Sequence, residues 1–348
     1  MQTMPAHRFR FYLLPGFSLH GFSAALEVLR LANGLAGERY AWTTVSEDGT
    51  AVRSGCGMRM AVDGALSDAR EAGRGGAGPC TVVICGGDDV PPASTGLTIW
   101  LRSCHQQRMS LAGLAGGVYA LARAGLLEGR RAAVHWRHFP DFSERFPEAR
   151  ASQAAFEIDG TLQTCAGGPA AFDMLLRQVE ADCGRTVANR ICEIGLAERV
   201  RAPGERQRLP LQTRIGIDNP VLIEMIAQME AGMAEPLPLA SLCAQSRLSR
   251  RQVERLFRQE MGLSPARYYV EMRLERAYLL LSHSSLTMIE IAIACGFGSP
   301  SHFSRTYRSH YGCTPQQTRQ AEAERRRGCA QAGEAWQIRP LRKVARSA

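Results

Sequence analysis

The sequence predicts an α/β amino-terminal domain with a doubly wound, mostly parallel sheet, followed by an all-α carboxyl-terminal domain. Three observations lead there. A chain of 348 residues is too long for one ordinary domain and suits two. Strand-like and helix-like stretches alternate between residues 8 and 183, as in a parallel sheet with helices on both faces. From Asn219 onward the apolar periodicity is helical throughout, and it repeats.

RFRFYLLPG reads as the first strand and SAALEVLRLANGL as the amphipathic helix after it. YAWTTVSEDG and MRMAVDG are short strands that end at turn residues. TVVICGGDD is a buried strand of β-branched residues closed by two glycines, and GLTIWLRSCHQQ is a helix. MSLAGLAGGVYALARAGLL then gives an apolar strand, a glycine pair and another helix. FEIDGTLQTCAGG is a hairpin turning at Asp159-Gly160, and PAAFDMLLRQVEADCG is a helix with Pro169 at its first position. Residues 184–200 add a terminal helix. RAPGERQRLPLQTR has charge and proline but no periodicity and reads as a linker. The expected organisation is a first domain over 1–200, a linker over 201–216, a helical domain over 217–320 and a disordered basic tail over 321–348.

Composition narrows the class. With 45% hydrophobic and 22% charged residues the chain is an ordinary globular one, and no apolar run is long enough to cross a bilayer. The first residues run straight into a strand and lack a cleavage site, so a cytoplasmic location is expected. Eleven cysteines are scattered without a CxxC pair or a zinc-like spacing. Neither a disulfide framework nor a metal site is expected, and no cofactor motif occurs. Charge is uneven. Residues 1–183 hold 17 arginines against 18 acidic residues, whereas the remainder holds 25 basic against 15 acidic ones. A basic carboxyl-terminal half suits a polyanion such as DNA.

The repeat gives that charge a shape. SRRQVERLFRQEMGLSP (249–265) realigns on SPSHFSRTYRSHYGCTP (299–315) at an offset of 50, and LASLCAQSRL realigns on MIEIAIACGF at an offset of 49. Each unit is a short helix, a tight turn and a second helix opened by a serine cap. ARYYVEMRLERAYLLLSHSS forms a long helix between them. Such a unit sets the start of its second helix in the major groove. The first copy offers Arg250, Arg251, Glu254 and Arg255. Arginine can bind guanine through two hydrogen bonds, and a carboxylate can accept from cytosine. The second copy offers Ser299, Ser301, His302, Ser304 and Arg305, a more neutral set for phosphates and adjustable base contacts.

The hundred residues around these units, above all IAIACGFGSPSHFSRTYRSHYGCTP, resemble the DNA-binding domain of the AraC/XylS family of transcription regulators. The resemblance implies seven helices and activation by contact with RNA polymerase. By position it assigns base reading to Arg251, Glu254 and Arg255, and to Pro300, Ser301, His302, Ser304 and Arg305. One departure is Arg247, where the family often has a turn glycine and the second copy has Gly296. A left-handed backbone there would cost roughly 1 kcal/mol.

The glycine pair after MSLAGLA has the outline of a nucleophile elbow, in which the reactive side chain sits on a sharp strand-to-helix turn. With FYLLPGFSLHGFSAALEVLRLAN, TVVICGGDD and QTCAGGPAAFDMLL, it resembles the PfpI/ThiJ branch of the flavodoxin-like, class I glutamine amidotransferase-like fold. Enzymes of that fold put cysteine at the elbow, where this chain has Ala115, and an acid where it has Gly21. No catalytic residue is therefore expected. A cleft remains, because such sheets bind ligands beyond the carboxyl ends of their strands. Gly86, Gly87, Gly116 and Gly117 would offer bare backbone N–H groups, and the elbow helix would favour an anion. Asp88 and Asp89 would meet a cationic group, and His135 and Trp136 would close the site, Trp136 through its ring.

Each of these has a bland alternative: His135 as a structural histidine, Trp136 as core, the aspartates as caps. The leading reading is a ligand-responsive transcription activator of a catabolic operon, acting as a homodimer on promoter DNA. Its effector would be a small amino-acid-like or quaternary-amine metabolite. Relatives of this two-part kind respond to compounds such as arginine, carnitine or glycine betaine. The rivals are a PfpI/ThiJ-type hydrolase or amidase with an appended DNA-binding domain, for which Cys165 is the one cysteine placed like an elbow, and a constitutive DNA-binding protein.

Overall fold

A computed structural model describes residues 7–72, 78–88, 90, 93–197, 201–208 and 211–332, with side chains as far as Glu324. The chain divides into two compact units, and the division falls between Gln207 and Arg208.

The strands of the first unit are β1 (His7–Leu13), β2 (Tyr40–Ser46), β3 (Val52–Arg53), β4 (Arg59–Met60), β5 (Gly64–Ala65), β6 (Cys80–Cys85), β7 (Ser110–Leu114), β8 (Arg131–Ala133), β9 (Arg150–Ser152), β10 (Phe156–Asp159) and β11 (Leu162–Cys165). Its helices are α1 (Leu19–Ala36), α2 (Leu66–Ala72), α3 (Thr95–Gln106), α4 (Gly117–Arg123), α5 (Phe139–Arg145), α6 (Pro169–Cys183) and α7 (Arg185–Ile194). The main sheet runs β10-β11-β7-β6-β1-β2-β5. All its pairs are parallel except β10 with β11, the hairpin that turns at Gly160 with φ 64°. The pairs β3-β4 and β8-β9 stand outside it.

Period-two alternation explains how one sheet feeds two cores. Phe9, Phe11, Leu13, Val83 and Cys85 face the layer of α1, α6 and α7, where Phe22, Met174 and Ile191 are buried. Tyr12, Val82 and Ile84 face the opposite layer with Leu97, Trp100, Tyr119 and Phe142. The result is the doubly wound α/β sandwich that the alternation of segments predicted.

The second unit holds α8 (Leu211–Ile215), α9 (Pro220–Ala231), α10 (Leu239–Ser246), α11 (Arg250–Met261), α12 (Pro265–His283), α13 (Met288–Ala294), α14 (Pro300–Tyr311) and, as far as Arg327, α15 (Pro315–Ala332). The repeat in sequence is a repeat in hydrogen bonds. The first turn is closed by Arg247 N to Ala244 O and Leu248 N to Cys243 O, and the second by Gly296 N to Ile293 O and Phe297 N to Ala292 O. Helices α11 and α14 both end on a left-handed glycine, Gly262 and Gly312. Tyr269 on α12 donates to Gly232 O, and its counterpart Arg319 on α15 donates to Leu286 O. Each half thereby ties the chain entering its unit to the helix leaving it.

Two expectations change. The stretch read as a linker is mostly committed to one unit or the other. Glu205 O accepts from Ala155 N at 2.6 Å, and Arg206 bridges Ala154. Leu211, Ile215 and Ile217 join the core of α9, α10 and α11. Short apolar or polar contacts of this kind leave no periodicity to read. The tail expected to be disordered from residue 321 instead continues α15 to Ala332. Its Gln, Ala, Glu and Arg residues favour helix intrinsically. Its buried side chains are polar, so no apolar stripe announces it: Thr318 accepts from Tyr307 Oη at 3.1 Å and Glu322 from Tyr278 Oη at 2.8 Å. The arginines at 325–327 lie beyond the described side chains.

Gly296 and Gly312 share a left-handed backbone, with φ 69° and 76°. A Cβ on Gly296 would lie 2.5 Å from Pro236 Cγ and 2.6 Å from Met233 O, whereas nothing lies within 4 Å of one on Gly312. Gly312→Ala should therefore cost about 1 kcal/mol in denaturant unfolding, and Gly296→Ala roughly 2–4 kcal/mol. Equal losses would show that the contact with residues 233–236 imposes no constraint.

Candidate functional site

Helix α11 begins at Ser249, whose Oγ accepts from Gln252 N at 3.3 Å while Gln252 Oε1 accepts from Ser249 N at 2.8 Å. This reciprocal cap fixes the entry angle of the helix. Val253, Phe257 and Met261 form its buried face. Arg250, Arg251 and Arg255 are exposed on the other side, and Glu254 is half-buried. Arg250 Nε lies 3.2 Å from Glu254 Oε1, so this carboxylate already has a cation beside it.

Helix α14 repeats the arrangement. Ser299 Oγ accepts from His302 N at 3.2 Å, and Phe303 and Tyr307 are buried. Ser299, Pro300, Ser301, His302 and Arg305 are exposed, with Ser304 half-buried. The His302 ring stands 5.8 Å from Phe297. Arg273 on α12 donates to Cys295 O at 2.6 Å and to Gly296 O at 2.5 Å, and lies 4.1 Å from the Phe297 ring. The second turn is thus braced from inside. Every side chain singled out in the repeat lies at the exposed or half-buried face of one of the two helices.

In the first unit the loops after β1, β6, β7 and β11 converge at the carboxyl ends of those strands. Ala115 sits at the elbow with φ 49°, donates its N–H to Cys165 O at 3.0 Å, and is half-buried. A side chain in the left-handed region costs about 1 kcal/mol or more. The four neighbouring glycines explain how the turn is held. A Cβ on Gly86 would lie 2.2 Å from Gly117 N, on Gly87 1.9 Å from Gly16 O, on Gly116 2.4 Å from Gly87 O and on Gly117 2.0 Å from Ile84 O. Main chain touches main chain at all four. These glycines are buried, and Gly86 N already donates to Leu114 O at 3.1 Å. The expectation of a bare N–H at Gly86 is therefore corrected: close approach of two turns uses it.

Asp88 is exposed, and its carboxylate lies 3.8 Å from both Arg137 Nη1 and His138 Nε2. The His138 imidazole and the Arg137 guanidinium beside it hold that carboxyl down to about 2. A cationic ligand would have to compete with these partners. Asp89 lies outside the described residues. His135 is half-buried, and burial, reinforced by the charge on His138, pushes its imidazole down to about 4, so it is neutral near pH 7. Its ring lies 5.6 Å from Trp136. Cys165 is buried, and desolvation pushes its thiol up to about 12. A thiol at that value is protonated and a poor nucleophile.

Residue-by-residue reading missed the connection from this cleft to Gln207. The Gln207 amide donates to Val134 O and Ala154 O, each at 2.7 Å, and accepts from Trp136 N at 2.8 Å. A second path is main-chain only: Ala115 N to Cys165 O, Ala166 N to Ala155 O, and Ala155 N to Glu205 O. His20, 3.7 Å from a Cβ placed on Gly168, is a further rim residue without a local signal. Gln207 and Trp136 are 71 residues apart, and nothing in either stretch points to the other.

Residues 8–181 match the DJ-1/PfpI family. Residues 242–321 match a family described as a helix-turn-helix domain. The chain is 37% identical to the HTH-type transcriptional regulator CdhR of Pseudomonas aeruginosa, over 89% of this chain and 91% of that one. It is 38% identical to the HTH-type transcriptional regulator GbdR of the same organism, over 90% and 84% of the two chains. A solved AraC family transcriptional regulator from Pseudomonas putida is 29% identical, covers 54% of this chain and 98% of its own, and superposes with a TM-score of 0.49. The chain belongs to the AraC-type helix-turn-helix transcriptional regulators that carry a DJ-1/PfpI domain.

Proposed function

We propose that the elbow cleft of the first unit binds a small effector and that the strap over residues 202–207 reports its state to the DNA-binding unit. The observation that carries this reading is Gln207. One side chain holds Val134 O and Trp136 N on either side of His135, together with Ala154 O before β10, and it is the last residue before the chain enters the second unit. A ligand can move such an equilibrium only by binding one arrangement more tightly than the other. Displacing the loop of His135 and Trp136 would alter both the acceptor and the donor that hold Gln207.

The effector-binding set is Gly86, Gly87, Asp88, Ala115, Gly116, Gly117, His135 and Trp136, the glycines shaping the floor and the last two closing it. The effector class is an amino-acid-like or quaternary-amine metabolite, whose carboxylate suits the start of α4 and whose cation suits the Trp136 ring. The protein acts in the cytoplasm as a homodimer that activates a catabolic operon through RNA polymerase. The reading as a hydrolase is not favoured, since at the elbow neither Ala115 nor the protonated Cys165 supplies a nucleophile.

Three outcomes follow for the intact protein. Arg255→Ala and Arg305→Ala should each weaken binding to a selected operator duplex by about 1–3 kcal/mol and relax its sequence preference. Unchanged affinity and preference in both would mean that these helices do not read bases. Ala115→Asp should keep operator affinity while shifting the dose curve of a reporter driven by whichever amine or amino acid raises the melting temperature in a ligand panel. An unaltered curve would move the pocket elsewhere. Gln207→Ala removes hydrogen bonds worth roughly 1–3 kcal/mol together. Effector-free reporter output should change toward the effector-saturated level, with operator affinity of the second unit intact; wild-type output at both extremes would sink the strap.

A further inference from the structure

Arg247 ends α10 with φ 55° and ψ 25°, in the left-handed region. Arginine has no local reason to be there. The equivalent residue of the second unit is Gly296, and both turns close with the same pair of main-chain hydrogen bonds. The two positions differ in their surroundings. At Gly296 a side chain would collide with Pro236 and Met233. At Arg247 the side chain is exposed, and the described hydrogen bonds and ion pairs include none from its guanidinium. The turns also differ in their cations. The second turn receives Arg273 onto its carbonyls from the inside. The first turn carries its own arginine outward, two residues before the cap Ser249 and next to the exposed Arg250 and Arg251.

We propose that Arg247 is a phosphate-binding residue of the first helix-turn-helix unit, placed on the turn to grip the DNA backbone beside the groove that α11 enters. Strained backbone positions cluster at functional sites, and this one carries an exposed guanidinium with no described hydrogen bond or ion pair. A guanidinium at this end of α11 matches phosphodiester oxygens in charge and geometry. It would contribute to affinity without discriminating sequence, whereas Arg255 reads bases. It would also give the two units unequal roles, the first anchored on the backbone and the second free to adjust. This proposal rests on the DNA-binding assignment of the family and is independent of the effector cleft.

The test uses the full-length protein and two labelled duplexes, one enriched by this protein from a random pool and one shuffled from it. Arg247→Gly should raise the melting temperature by a few degrees, because the left-handed strain disappears. It should weaken binding to both duplexes by the same factor, about five- to tenfold at physiological salt. The slope of log Kd against log salt should become shallower by about one. Arg247→Asn, which tolerates the backbone but lacks the charge, should weaken binding equally, and Arg247→Lys should retain most of it. Three results would each overturn the proposal: unchanged affinity in Arg247→Gly at every salt, a loss confined to the enriched duplex, or an unchanged salt slope. A lowered melting temperature would overturn its strain argument.

Discussion

Backbone touches backbone where the turns Gly86-Gly87 and Gly116-Gly117 cross, and the geometry of the first unit depends on that contact. No side chain larger than hydrogen fits at any of the four positions without a clash below 2.5 Å. At this crossing the ends of β6 and β7 lie side by side, and Ala115 has a left-handed backbone and a half-buried methyl group. In an enzyme the same strain would present a nucleophile. Here it presents the methyl group of Ala115.

From that crossing, hydrogen bonds and ion-pair contacts lead outward in two directions that meet again. Ala115 is joined to Cys165, and Ala166 through Ala155 to Glu205. Asp88 is paired with Arg137 and His138, whose loop includes Trp136 and so reaches Gln207. Both routes end within three residues of the division between the units. Packed loops of this kind shift between discrete arrangements more readily than they deform continuously. If the cleft acts as proposed, coupling is reciprocal, and DNA bound to the second unit would bias the cleft as strongly as an effector biases DNA binding.

The helical unit was legible because its information is local and doubled. An offset of 50 in sequence aligns caps, apolar positions and terminal glycines, and each of these is a short-range rule. The elbow was legible for the same reason, since a strand, glycines and a helix follow one another. What sequence withheld is non-local or polar. Gly86 looked like a free donor, but Leu114 O, 28 positions on, accepts its hydrogen. Asp88 looked free for a cation, but Arg137 and His138 reach it from the loop before α5. The helix through residues 321–332 was hidden because it docks with Thr318 and Glu322 instead of leucines. Residues 202–207 looked like a tether because a strap held by main-chain bonds needs no particular side-chain pattern.

The two units therefore divide the work by chemistry. The basic one supplies charge and hydrogen-bond donors to a polyanion, and the near-neutral one is proposed here to supply an effector cleft near the strap that Gln207 and Glu205 hold. The claim joining them is that cleft occupancy is felt at the strap, and hydrogen–deuterium exchange of the full-length protein tests it most directly. With a saturating amine or amino acid that alters reporter transcription, exchange should change together in the loop 134–138 and in residues 202–207. A ligand that switches transcription and alters the cleft loop, yet leaves exchange across 202–207 as it is in the free protein, would contradict the account.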